Sequence, residues 1–386
     1  MLFDPEVHER LTEDVWEPGR VRAAIREIAE DAEGAFEDGW PTHPQDIEEK
    51  IDETRRFRTV YMGGAGVVQA LESLQRRGLV ELRRDYISYL ERAYDPDFPD
   101  FDHERSLWMG ETGIRLVLHR LSPSKENADR LAELIAGNAK DERREVMWGS
   151  PGTMLAAAAM YELTGEARWD ALWRESAEWL RSEWDPQTGL WTQELYGRAD
   201  QIIGPAHGFA GCMLALSRGA DDEVHRRAAE TTARYAIEEE GLANWLSWAS
   251  MQNLRANRDG SIRMQWCHGA PGVVASLARF APGDDEHGRL LRAGGELTWR
   301  AGPLRKGANL CHGTAGNGYA FLALFERTGD ELWLERARSF AMHAVAQLAR
   351  ARSEFGRGRY TLWTGDPGTA LYLADCLTGA GAVPLP

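Results

Sequence analysis

An all-α fold is predicted, built from seven helical hairpins arranged as an inner and an outer layer. Three observations carry this expectation. Gly-x-x-Gly recurs seven times, at 63–66, 110–113, 149–152, 208–211, 269–272, 313–316 and 365–368, with gaps of 47, 39, 59, 61, 44 and 52 residues. Each occurrence opens an apolar segment, such as GTMLAAAAMYELTG or GNGYAFLALFERTG, and polar segments with helical spacing lie between them. Period-two runs of β-branched residues are nearly absent. A fixed recurrence of this length is the signature of a repeat architecture, here one unit per about 55 residues.

The inner elements come first. The segments after the glycines are apolar nearly all round, which a helix tolerates only when it is buried on every side. Several end at Gly, the usual residue at a helix C-terminus. The outer elements differ. WDALWRESAEWLRSEW (169–184), VHRRAAETTARYAIEEE (224–240) and LWLERARSFAMHAVAQLARAR (332–352) each read as an amphipathic helix. In the last, Leu332, Leu334, Ala337, Phe340, Ala341 and Ala344 recur at three- and four-residue steps while Glu335, Arg336, Arg338 and Arg350 lie elsewhere. Two repeats match beyond their glycines: YELTGEARWDALW (161–173) parallels FERTGDELWLERA (325–337). Stacked hairpins form either an open solenoid or a closed ring; the cysteines described below favour the ring. The expected organisation is one domain over 1–386, in which residues 1–55 form a helical extension packed outside the first repeat.

Composition narrows the function. The net charge is −16, and no basic run exceeds RRFR at 55–58, so nucleic acid is not an expected partner. No apolar stretch reaches the length of a membrane span. The opening MLFDPEVHERLTEDVWEPGR is acidic and lacks the apolar core of a secretory signal. Four cysteines in 386 residues do not make a disulfide framework. The expected location is the cytoplasm.

The most specific motif is a repeated tripeptide, Cys267-His268-Gly269 and Cys311-His312-Gly313, in adjacent repeats and in the settings WCHGAPG and LCHGTAGNG. Two buried cysteines can simply pack as small hydrophobes. The paired context argues instead for ligands: Cys267, Cys311 and His312 make a Cys₂His set with an open fourth position, suited to Zn²⁺. A soft-ligand site of this kind suits a thiol as fourth ligand and holds it deprotonated, as an activated nucleophile. Activation of water is the competing use. In the fourth repeat His207 stands just before Gly208, the position of His268 and His312 in the fifth and sixth. That register makes it a candidate proton donor or acceptor. Glu145, four residues before Gly149, is a candidate partner that orients it. Lys306, five residues before Cys311, and Arg263, four before Cys267, are candidate contacts to an anionic substrate.

WCHGAPG, LRKGANLCHGTAGNGYAFLALF and PAHGFAG together resemble the signature segments of the lanthionine synthetase C-like (LanC-like) family. The resemblance spans roughly residues 55–380 and is strongest over 204–325; the KG ahead of the second tripeptide and the His after Cys267 bring it nearer the eukaryotic-type, glutathione-binding members than the dedicated lantibiotic cyclases. It implies an α/α toroid of seven inner and seven outer helices. It further implies one zinc per chain on Cys267, Cys311 and His312, with His268 not a ligand. His207 takes the acid/base role with Glu145 as its partner, Lys306 the glutathione-binding role, and Arg263, by spacing, that of a catalytic arginine. The implied chemistry is addition of a thiol, from a peptide cysteine or glutathione, to dehydroalanine or dehydrobutyrine in a peptide or protein, forming a thioether. The acceptor would be dehydrated by a separate dehydratase. Two other readings stand beside this one: a non-catalytic zinc toroid that binds glutathione or peptide, and a zinc-dependent prenyltransferase-like enzyme.

Overall fold

The structure is a computed structural model that describes residues 2–47, 54–95, 105–257, 259–379 and 383–384. Among these residues fourteen α-helices follow one another as α1 (Pro18–Gly34), α2 (Gly64–Arg76), α3 (Ile87–Ala93), α4 (Glu111–Leu121), α5 (Lys125–Asn138), α6 (Ser150–Thr164), α7 (Ala167–Ser182), α8 (Phe209–Leu216), α9 (Asp222–Tyr235), α10 (Ala270–Leu277), α11 (Asp285–Ala301), α12 (Thr314–Thr328), α13 (Glu331–Phe355) and α14 (Asp366–Thr378). The even-numbered helices begin at the Gly-x-x-Gly turns and form the inner layer. Each packs on the next, and α14 packs on α2, so the ring closes. The fold is an α/α toroid.

The two layers start their helices by different means. The N-cap of every inner helix is the first glycine of its motif, with no side-chain cap. The first free amides are instead taken by the preceding loop, which curls back on itself: Gly64 N–H donates to the Phe57 carbonyl at 3.0 Å, Phe209 N–H to Ile202 at 2.9 Å and Thr314 N–H to Gly307 at 2.9 Å. Among the outer helices, α1, α5, α9, α11 and α13 are capped by the side chains of Glu17, Ser124, Asp221, Asp284 and Asp330, the ordinary device for a solvated helix end. The second glycine of each motif answers a packing demand. A methyl at Gly66 would overlap the Val60 carbonyl and the Leu362 side chain of the neighbouring repeat; one at Gly316 would overlap the Leu310 carbonyl and crowd Trp266. The same relation recurs around the ring, so one apolar side chain per repeat sits against the next repeat's glycine.

Two expectations are corrected. The helix expected over 224–240 ends at Tyr235, and the long gaps hold two short antiparallel hairpins. These are β1 (Gln193–Leu195) with β2 (Arg198–Asp200), and β3 (Ile237–Glu239) with β4 (Leu242–Asn244). Each turns through two residues with positive φ, Tyr196-Gly197 (55° and 71°) and Glu240-Gly241 (53° and 76°), the geometry that matches strand twist. The extension over 1–55, expected on the first repeat, meets it near α3 through Glu33, Phe36 and Trp40, but the body of its helix α1 packs against α14 and α13. Closure of the ring brings the chain's two ends together, and α1 supplies the outer partner that the last inner helix lacks. Beyond it, Phe36 and Trp40 pack against Tyr86 and Tyr89 at α3. Residues 1 and 48–53 of this segment lie outside the described residues. Among the described residues, no helix is long and apolar enough to cross a membrane.

Candidate active site

The turns that precede the inner helices gather at one end of the ring and are tied by backbone hydrogen bonds between equivalent residues. Cys267 N–H donates to the Cys311 carbonyl at 3.1 Å, Cys311 N–H to Trp363 at 2.8 Å, Trp363 N–H to Tyr61 at 3.3 Å and Tyr61 N–H to Trp108 at 3.0 Å. All of these residues stand two places before the first glycine of their motif. This girdle sets Cys267 and Cys311 side by side.

Both thiols are free and buried, and they are hydrogen-bonded to each other. Tyr61 Oη donates to Cys311 Sγ at 3.0 Å, and Gln265 Nε2 donates to Cys267 Sγ at 3.0 Å. The hydrogen bond from Cys311, opposed by burial and helped by Gln265, lowers the acidity threshold of Cys267. The same bond, together with burial, raises that of Cys311. Of the two, Cys267 is therefore the sulfur that loses its proton more readily. Burial pushes the Tyr61 hydroxyl up as well, so it stays a donor.

The neighbouring position, one before the first glycine, carries Trp148, His207, His268 and His312 in successive repeats. His207 stacks on Trp148 at 5.2 Å between ring centroids and lies 6.4 Å from His268. His207 Nδ1 is 2.9 Å from Glu145 Oε2. Glu145 is fully buried and also accepts the backbone N–H groups of Met147, Trp148 and Gly149 at 2.8, 2.6 and 3.0 Å. A carboxylate that already accepts three amides is an acceptor towards His207 too. Nδ1 therefore holds the ring proton, and Nε2 is the atom left to exchange one. Glu145, which in the sequence resembled any surface acid, is the buried orienter of this histidine.

The two remaining histidines diverge. His268 lines a cavity of about 360 Å³ together with His207, Trp248, Arg263, Tyr196 and Ile202. Burial, with His207 and Arg263 nearby, lowers its pKa to about 3, and its Nδ1 is buried without a hydrogen-bond partner. His312 is held down to about 4 by burial and by Lys306 and Arg359. Lys306 and Arg359 also line a second recess, about 150 Å³, together with Arg305 and Arg357. Lys306 Nζ reaches Gln265 Oε1 at 3.3 Å, so the cation is linked to the thiol pair through one amide. Arg263 is held by Asp259 at 2.7 Å and lies over the Trp248 ring at 5.4 Å, in the wall of the larger cavity.

The structure thus brings Cys267 and Cys311 together, pairs His207 with Glu145, and sets Arg263 and Lys306 in the walls of two separate recesses. Among the described residues no three His, Cys, Asp or Glu side chains converge as a metal cage; the two thiols lie together, and His312 follows the second in the chain. Sequence reasoning missed Tyr61, Gln265, Trp148, Tyr196 and Trp248. Tyr61 had a signal, since it occupies in the first repeat the position that cysteine holds in the fifth and sixth; Trp148 likewise shares the register of His207.

Residues 58–383 match the lanthionine synthetase C-like protein family. The chain belongs to this family. Over 121 residues it is 38% identical to glutathione S-transferase LANCL1 of Danio rerio, covering 31% of this chain and 30% of that protein. Over 181 residues it is 30% identical to LanC-like protein GCL1 of Arabidopsis thaliana, covering 45% and 40%. The matched stretches therefore span less than half the length of either relative. Among solved structures, nisin cyclase superimposes with a TM-score of 0.62 at 18% identity, over 85% of this chain and 91% of that one. That likeness shows the shared toroidal fold of this lanthionine synthetase C-like chain.

Proposed function

We propose that this protein adds a thiol across the carbon–carbon double bond of a dehydroalanine or dehydrobutyrine residue, forming a thioether. The observation that carries the reading is a pair of adjacent buried thiols beside a carboxylate-held imidazole, on neighbouring turns of one ring mouth. His207 is close enough to act electrostatically on Cys267.

Two buried thiols side by side form a soft donor set, and an imidazole follows the second in the chain, so the residues fit zinc. Cys267, Cys311 and His312 would hold it. When bound, the ion keeps a substrate thiol deprotonated at neutral pH. The remaining work falls to the chain. Lys306 and the arginines around it offer positive charge for the carboxylates of a small thiol such as glutathione, in a protein whose overall charge is negative. In the addition, a carbon–sulfur bond forms at the acceptor's β-carbon and the π pair moves toward the α-carbon and its carbonyl. His207, protonated at Nε2, delivers a proton to that α-carbon, and Glu145 holds Nδ1 so that Nε2 is the nitrogen presented. The proton lost by the thiol balances the one His207 delivers, and no oxidant is required. Arg263 stands in the wall where the acceptor's carbonyl would lie.

The test is direct. Purified protein should hold one zinc per chain and convert a dehydroalanine peptide with glutathione or a cysteine peptide, followed by mass spectrometry. Well under one equivalent of zinc, together with addition that survives Cys311→Ala, would contradict the mechanism.

A further inference from the structure

We infer that the β1–β2 hairpin is the element that recognises the acceptor. In this assignment the cavity beside His207 takes an aromatic or large aliphatic side chain that neighbours the dehydro residue in an extended peptide, held between Tyr196 and Trp248. The inference deepens the addition chemistry proposed above and rests on it for the identity of the acceptor.

The first observation is the placement of Tyr196. It is the first central residue of a two-residue turn, with φ of 55°, a position that favours Asn, Asp or Gly because a Cβ there meets the backbone. The other hairpin of the molecule has the same turn and fills this position with Glu240, a charged residue suited to solvent. Tyr196 instead places an aromatic ring at 77% exposure. It is neither a turn former nor a core residue, yet its ring stands edge-on to Trp148 at 5.7 Å and to His207 at 6.2 Å.

The second observation is the cavity itself. Its volume of about 360 Å³ is within the range of small-ligand sites, enough for one large side chain and the backbone on either side. Leu195, Ile202 and Trp248 give it apolar walls, and His207 opens into it. The wall is a single unit, because the chain after β2 pairs with the chain after β4: Ile203 N–H donates to Ser247 at 3.0 Å and Ala249 N–H to Gln201 at 2.9 Å. The two long gaps of the repeat thus build one aromatic-faced enclosure over the proposed proton donor. The cationic recess shares no lining residue with this cavity, so thiol donor and acceptor would be held in separate recesses.

Calorimetry with two unreactive hexapeptides, each with Ala in place of the dehydro residue and either Phe or Ala beside it, tests this without turnover. The Phe peptide is expected to bind at least about tenfold more tightly. Tyr196→Asn should bring the two within about twofold while leaving Tm unchanged or higher, because Asn-Gly suits the turn; Tyr196→Phe should keep the preference. With the reactive Phe peptide, Tyr196→Asn should raise KM about tenfold and change kcat less than about twofold. Equal binding of the two peptides to the native protein, or a preference that survives Tyr196→Asn, would overturn the inference. If the binding preference holds but no thioether ever forms, the recognition element stands and the proposed reaction falls.

Discussion

The same tripeptide, Cys-His-Gly, is folded in two ways on adjacent repeats. At the second copy the backbone follows the pattern of the ring: Gly313 has a φ of −127°, and Thr314 and Ala315 donate to the Gly307 and Ala308 carbonyls at 2.9 and 3.0 Å. At the first copy Gly269 has a φ of 110°, which only glycine adopts readily. Gln265 and His268 close a tight bridge, exchanging hydrogen bonds at 3.0 and 3.1 Å. The Arg263 carbonyl no longer takes the first helical amide; Asn244 Oδ1 does, accepting from Ala270 at 2.8 Å. The consequence is chemical. His268 faces the aromatic cavity and His207, whereas His312 faces Lys306 and Arg359. Identical residue types at identical register thus acquire different neighbours, and at the first copy the side chain of Asn244, which belongs to neither tripeptide, takes the helix amide that a backbone carbonyl takes at the second.

The largest expected effect separates the two histidines. His312→Ala should strip zinc, measured by metal analysis, and lower thiol addition by more than about a hundredfold, since losing a ligand costs more than losing a residue that only hydrogen-bonds to one. His268→Ala should leave zinc at one equivalent. Equal zinc loss in both variants would show that the two turns serve the metal alike. His207→Ala should also keep its zinc while reducing kcat by about 10²–10⁴-fold, the usual contribution of a placed general acid. Where the two turns agree, the same perturbation should hurt both: Gly272→Ala and Gly316→Ala each drive a methyl into a carbonyl of their own loop. Each should cost about 3 kcal/mol or more by denaturant titration, and a harmless result at one site alone would mean that the ring packs less evenly than the glycines indicate.

Much of this was legible in the chain. The glycine recurrence located all seven inner helices because the constraint behind it is local and steric, a carbonyl and a neighbouring side chain against the missing Cβ. The register of His207 with His268 and His312 placed it at the same mouth, for the same reason. Glu145 was legible only as a spacing; its burial and its bond to His207 depend on how the third loop wraps its own carboxylate. The hairpins were not legible, since strands of three residues carry almost no periodicity. Nor was the seat of α1, because the sequence of a ring does not show where its ends meet. Asn244 lies twenty-three residues before Cys267, and nothing in its surroundings announces that its side chain replaces a backbone carbonyl.

That replacement yields the finest separation of the two turns. Asn244 is buried, and its Oδ1 accepts from Trp245 and Ala270, each at 2.8 Å, while its Nδ2 donates to the Leu2 carbonyl at 2.9 Å. Asn244→Ala therefore leaves two buried amides and one carbonyl without partners and should cost about 2–4 kcal/mol. It should also disturb Cys267, seen as altered zinc affinity. The nearest counterpart at the second turn is Asn309, whose Oδ1 accepts only the His312 amide, at 3.0 Å, and whose Nδ2 makes a 3.5 Å contact to Lys306. The helix amides behind it remain bonded to backbone carbonyls, so Asn309→Ala should cost about 1 kcal/mol. Thermal or denaturant unfolding of the pair decides the matter. If the two variants lose stability equally, the first turn does not depend on a side chain for its shape, and the divergence of His268 from His312 must come from the backbone alone.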